Sequence, residues 1–293
     1  MKRIGLLALA MLLIPVACST GMNQSDVQAS SGQPAGTHQA ATAGAAVQPP
    51  GPTAPAASPR HGEWMIIRTP EGDSVRTWVV FPERSVQSPV VLVVHEIFGL
   101  SPWIRGVADQ LAAAGFIAVA PDLLTGHAIP GSPLNPDPQA ATAAIRTLDV
   151  DDVHRQLSAV AAHVMQHPAA LPRYGIVGFC WGGQRAFEHA ARIPDLGAAV
   201  VYYGSSPPPD AAASISAPVL GLYGSRDARV NTTVPPMDSA MQALGKTFRA
   251  ITYEGAGHGF LRQLDGQEGA NRAAAVAAWP ETIAWFSAHL ERR

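Results

Sequence analysis

The chain has 293 residues, of which 47% are hydrophobic and only 14% charged, with a formal net charge of -2. Apolar content on that scale supplies a sizeable core and excludes global disorder, and the length suits one catalytic-size domain. With no long run of either sign there is no electrostatic footprint for nucleic acid or for an anionic membrane surface, so the expected partner is a small molecule.

In chain order, Lys2 and Arg3 precede an apolar run from Ile4 to Val16 that is too short to span a bilayer comfortably, the pattern of an export signal over residues 1–18. Where that run ends, Pro15-Val16-Ala17-Cys18 resembles the lipobox of bacterial lipoproteins, in which the cysteine is acylated and becomes the new first residue. Pro15 stands where such boxes usually carry Leu, so cleavage near Ala17 to a soluble periplasmic protein is the alternative. Either way the expected location is outside the cytoplasm, with membrane contact only through a lipid on Cys18. Residues 19–60 are Ala, Pro, Gly, Ser, Gln and Thr with almost no large apolar side chain. Such a segment cannot repay its ordering entropy by burial and reads as a tether. The folded domain is then 61–293.

After the tether, Glu63 to Thr69 and Ser74 to Phe81 are β-rich runs separated by Pro-Glu-Gly-Asp, which predicts an antiparallel hairpin. Val90 to Val94, Phe116 to Ala120, Tyr174 to Val177, Ala198 to Tyr203 and Pro218 to Tyr223 are short aliphatic runs of the kind buried on both sheet faces. Between them, helical character appears over Pro102 to Ala114, Gln139 to Gln166, Gly182 to Arg192 and Pro235 to Leu244. Phe248 to Tyr253 is the last strand and Asn271 to Leu290 a closing helix. This alternation predicts a mostly parallel central sheet with helices on both faces. Catalytic groups in such folds collect on loops beyond the carboxyl ends of the strands. Three segments stand there: Gly178 to Gly183, Gly224 to Asp227 and Gly255 to Phe260.

Gly178-Phe179-Cys180-Trp181-Gly182 has the glycine spacing of a nucleophile elbow, with cysteine in the place of serine. The nucleophile of an elbow sits on a sharp strand-to-helix turn and protrudes only if the flanking positions are small. The helix that follows points its positive end at Cys180, favouring the thiolate. Of the ten histidines, His258 alone follows the last predicted strand in a glycine-rich turn. It can serve as base and then as proton donor. Asp227, between the two in sequence, would hold the imidazole tautomer. Singly these residues read as turn and cap positions; in this order and on these loops they read as a triad. The chain holds only two cysteines. With Cys18 lipidated or removed, Cys180 is unpaired in a disulfide-permitting compartment, where it is either a small buried hydrophobe or a nucleophile.

With these residues in view, the sequence resembles the dienelactone hydrolase family of α/β-hydrolases over nearly all of residues 63 to 290. The segments that carry the likeness are His95-Glu96-Ile97-Phe98-Gly99-Leu100, Ile104-Arg105-Gly106-Val107-Ala108-Asp109 leading to Ala120-Pro121-Asp122-Leu123, the elbow, and Gly257-His258-Gly259-Phe260. The resemblance implies an α/β-hydrolase fold and hydrolysis of an ester or lactone, with the family's cysteine, aspartate and histidine falling on Cys180, Asp227 and His258. It also implies that Glu96 interacts with the resting cysteine and controls when it ionises. The oxyanion hole is then expected from the backbone N–H groups of Trp181 and Ile97. Arg262 matches one of the arginines with which the family binds a substrate carboxylate. A second has no equivalent in the cation-free segment Gly131 to Ala144, and Arg146 does not align; a different or uncharged substrate is expected.

His95-Glu96 is not followed by the second histidine that a zinc-peptidase helix needs. His163 and His167, four apart, read as a polar stripe near a helix end rather than a metal pair, and Asp149, Asp151 and Asp152 as a helix start. No phosphate loop, dinucleotide fingerprint or metal-binding cysteine cluster is present, so no cofactor or metal is expected. The competing reading is a catalytically silent envelope lipoprotein that uses the hydrolase scaffold as a binding module. Thiol redox sensing through Cys180 lacks a resolving cysteine.

Overall fold

In the computed structural model the described residues are 48–51 and 58–291. The expected signal peptide, Cys18 and most of the expected tether lie outside them. The aliphatic runs form an eight-stranded sheet in the order β1-β2-β4-β3-β5-β6-β7-β8. β1 (Gly62–Arg68) and β2 (Ser74–Val80) make the antiparallel hairpin, with Arg68 opposite Ser74. β2 continues antiparallel against β4 (Ile117–Pro121). From β4 onward the sheet is parallel through β3 (Ser88–Val94), β5 (Ala170–Phe179), β6 (Ala198–Tyr202), β7 (Val219–Gly224) and β8 (Phe248–Tyr253).

Alternation along the strands divides the core. Val91, Val93, Val177 and Phe179 face α1 (Pro102–Ala113) and α7 (Ala270–Leu290). Their neighbours Val90, Leu92, Val94 and Ile176 face α3 (Val150–Val164), α4 (Trp181–Arg192) and α6 (Val234–Ala243). All seven residues of β3 are buried, which is why the strand reads as an unbroken aliphatic run rather than an alternating one.

The single middle helix expected from Gln139 to Gln166 is two. α2 (Pro138–Ile145) starts at Asp137, whose side chain accepts from the Ala140 N–H. α3 starts afresh at Asp149, which accepts from the Asp152 N–H at 3.0 Å. The acidic cluster is therefore a helix start inside the span, satisfying donors that a continuous helix would have paired internally. A short α5 (Ala228–Asn231) follows Asp227. β6 stops at Tyr202, one residue before the expected end, because Tyr203 turns to a φ of 40°.

The strand order reverses between β3 and β5: from β3 the chain moves outward to β4 on one side and to β5 on the other. Loops leaving the carboxyl ends of two such neighbours diverge and leave a crevice between them. Glu96 lies just past the end of β3 and Cys180 just past the end of β5.

Candidate active site

Cys180 joins β5 to α4 with φ 57° and ψ -116°, a conformation costing a non-glycine residue on the order of 1–3 kcal/mol. The glycines around it are required by close backbone approach. A Cβ on Gly178 would fall 1.9 Å from the Gly182 carbonyl oxygen, and one on Gly182 would fall 2.4 Å from the carbonyl oxygens of both Val94 and His95. α4 is thereby seated directly on the end of β3. The thiol is free and half-buried.

Asp227 and His258 come from adjacent loops stitched together by backbone. Arg226 N donates to the Ala256 carbonyl and Gly255 N to Ser225 Oγ, at 2.9 and 2.8 Å. Gly257 N donates to Asn271 Oδ1 of α7 at 2.9 Å, tying the histidine turn to the closing helix. His258 Nδ1 lies 2.5 Å from Asp227 Oδ2. A carboxylate can only accept, so Nδ1 carries the proton and Nε2 is left for the thiol and a substrate. Burial lowers the proton affinity of His258, but the bonds to Asp227 and Cys180 outweigh it and push the pKa up to about 9. The imidazole thus lies between a carboxylate and a sulfur, both of which favour its protonated form.

Glu96, 2% exposed, is engaged by Arg262: Nε donates to Oε2 at 2.6 Å. Burial pushes the Glu96 carboxyl up, and the Arg262 charge opposes the shift. The guanidinium also sits 4.8 Å over the Phe98 ring, so Arg262 clamps the loop after β3 to the histidine loop. Two residues expected to act separately, one on the thiol and one on a substrate carboxylate, are here partners of each other. Ile97 and Trp181 pack against an apolar wall of Leu124, Ala141 and Ile145. Among the described residues, the N–H groups of Ile97 and Trp181 make no turn or loop hydrogen bond to a backbone carbonyl. Trp181, first in α4, has no intrahelical acceptor either.

The profile of the dienelactone hydrolase family matches residues 75–290. The chain is 32% identical over 259 residues to a Salmonella typhimurium protein assigned as a carboxymethylenebutenolidase, covering 80% of this chain and 94% of that one. An Escherichia coli K12 protein assigned likewise is 32% identical over 258 residues, covering 80% and 93%. This chain belongs to the dienelactone hydrolase family. Among solved structures, a Klebsiella pneumoniae protein assigned as a dienelactone hydrolase is 30% identical and superposes with a TM-score of 0.68 over 78% of this chain and 98% of its own. Membership makes the protein an α/β-hydrolase acting on ester or lactone bonds, in agreement with the fold class read from the sequence.

One neighbour of this site was not singled out by sequence reasoning. Tyr203 is fully buried, its ring 5.2 Å from that of His258 and 5.4 Å from that of Phe260. Its hydroxyl has no hydrogen-bond partner among the described residues. In the sequence it is an ordinary strand aromatic, and only the positive φ sets it apart. Elsewhere, His167 packs on Phe81 and accepts from the Ala169 N–H, a helix-end role.

Proposed function

We propose that Cys180, His258 and Asp227 hydrolyse a small ester or lactone through a thioester acyl-enzyme. The observation that carries this reading is the imidazole of His258, fixed by Asp227 at 2.5 Å on one side and interacting with Cys180 on the other. The Cys180 sulfur attacks the carbonyl carbon, and the oxygen takes up negative charge facing the N–H groups of Ile97 and Trp181. As the C–O bond breaks, the protonated His258 gives its proton to the leaving alkoxide; in a lactone, that oxygen stays tethered to the acyl group. Neutral His258 then takes a proton from water, whose oxygen attacks the thioester carbonyl and expels the sulfur. Asp227 holds the tautomer through both steps.

The substrate class in this reading is uncharged. Arg262 is neutralised by Glu96, and the neighbouring wall is aliphatic, so neither offers an unpaired cation to a substrate carboxylate. From the sequence we also infer an exported, periplasmic protein, lipid-anchored through Cys18. Metabolic labelling with a fatty acid, lost in Cys18→Ser, is the test of the anchor.

For the catalytic reading, the full-length protein is assayed on p-nitrophenyl acetate and on carboxylate-bearing cis-dienelactone, beside Cys180→Ala and His258→Ala. The expected result is turnover with preference for the neutral ester, loss of about a hundredfold or more in both variants, and an acyl adduct on Cys180 in the mass spectrum. No turnover of any ester, with Cys180 inert to alkylation, would favour a binding module.

A further inference from the structure

His95 is completely buried at the end of β3, and both ring nitrogens are committed. The Leu123 N–H donates to Nε2 at 3.3 Å. A backbone N–H can only donate, so Nε2 is bare and the proton is on Nδ1, which donates to the Glu96 carbonyl oxygen at 2.8 Å. This carbonyl belongs to the same peptide unit as the Ile97 N–H. In a trans peptide the two point in opposite directions, so fixing the carbonyl fixes the direction of the N–H. Drawing electron density toward the carbonyl oxygen also makes the N–H a stronger donor.

The other face of the imidazole meets the second half of the hole. The His95 and Trp181 rings stack with centroids 5.8 Å apart at 20°. Gly182, next along α4, comes so close to the His95 carbonyl that no Cβ fits between them. One residue therefore touches the peptide that supplies Ile97 N–H and the side chain and helix turn that supply Trp181 N–H.

We propose that His95 is a positioning residue for the oxyanion hole, its imidazole holding the Glu96–Ile97 peptide plane and the Trp181 ring so that both N–H groups aim at one point. This role rests on the ester cleavage proposed above. It concerns stabilisation of the developing oxyanion and leaves the nucleophilicity of Cys180 untouched.

That distinction sets the experiment. Hydrolysis of p-nitrophenyl acetate needs the oxyanion hole. Alkylation of Cys180 by iodoacetamide forms an S–C bond and expels iodide without an oxyanion, so it does not. In the full-length protein, His95→Leu is expected to lower kcat by about ten- to a hundredfold, below the loss for deleting a donor outright, with KM little changed and the alkylation rate within about twofold. His95→Asn, whose Nδ2 stands as many bonds from the backbone as Nδ1 does, is expected to recover much of the lost kcat. Hydrolysis and alkylation falling together, or Asn performing no better than Leu, overturns the proposal in favour of a structural prop. A second measurement needs no variant to fold: nitrogen chemical shifts of the unaltered protein must show His95 protonated on Nδ1 and bare on Nε2, and the reverse tautomer overturns the proposal. If the unaltered protein hydrolyses no ester, the catalytic reading itself fails, and this role with it.

Discussion

Glu96 and Arg262 are 166 residues apart in the chain and 2.6 Å apart in the fold. The carboxylate is nearly sealed from solvent, whereas the arginine side chain is 30% exposed. One partly wet cation therefore compensates a buried anion, and removing the cation costs more than the pair itself contributes. Arg262→Gln is expected to destabilise the protein by on the order of 3 kcal/mol near neutral pH. The pH dependence has a definite sign. Burial already raises the Glu96 carboxyl above 4.5, and the variant loses the opposing arginine. A carboxyl with a raised folded-state pKa favours folding below its unfolded pKa and loses that contribution as pH rises through the folded one. The deficit of Arg262→Gln should thus shrink as the pH is lowered toward about 5. Paired thermal melts across that range read it out. A deficit independent of pH would assign the loss to packing on Phe98.

The His258 imidazole makes the complementary prediction. Its folded-state pKa is raised from 6.5 to about 9. A base so raised contributes stability that is fully present below 6.5 and is lost as pH rises through about 9. Asp227→Asn removes a bond that holds the proton, so the melting-temperature advantage of the unaltered protein over this variant should narrow across that window. Ester turnover in the same variant is expected to fall by about a thousandfold or more through loss of the tautomer. A constant difference in melting temperature would show that the pair does not hold the proton.

At the elbow, the expected effect of a single methyl group is severe. Gly182→Ala would drive a Cβ into the carbonyl oxygens of Val94 and His95. Both are backbone, one the last residue of β3 and the other the buried residue just past it, and cannot swing aside. A loss of about 3 kcal/mol or more is expected, seen as a lower denaturation midpoint or failure to accumulate as soluble protein. An alanine variant that melts like the parent would show that α4 does not sit on β3 as closely as described.

Tyr203 separates hydroxyl from ring. Its buried hydroxyl has no partner among the described residues, so Tyr203→Phe is expected to raise stability by about 1 kcal/mol. Tyr203→Ala opens a cavity beside His258 and Phe260 and is expected to cost about 3–5 kcal/mol. Calorimetry distinguishes the two. If Tyr203→Phe instead loses ester turnover with its stability unchanged, the hydroxyl meets the substrate.

The sheet was legible because the parallel strands β3, β4, β6 and β7 are buried along their whole length and must be aliphatic runs, as Val90 to Val94 shows. The elbow was legible because backbone contact at Gly178 and Gly182 excludes any side chain. Three loops ending in Cys180, Asp227 and His258 could be located by counting strands, since chain order fixes which loop leaves the carboxyl end of each parallel strand. The break between α2 and α3 was only half legible: Asp149, Asp151 and Asp152 read as a helix start, but the alanine-rich stretch before them is helical in character too, so the span from Gln139 to Gln166 reads as one helix.

The sequence by itself determined the sheet, the order of its strands' loops and the residue types that stand on them. Only the tertiary structure decided who partners whom. Glu96 goes to Arg262, His95 braces the peptide before Ile97, and Tyr203 turns against His258. The physical reason is that local patterns encode burial and backbone sterics, which act within a few residues. Hydrogen bonds and ion pairs between loops depend instead on where the sheet carries its strand ends, and residues far apart in the chain meet there.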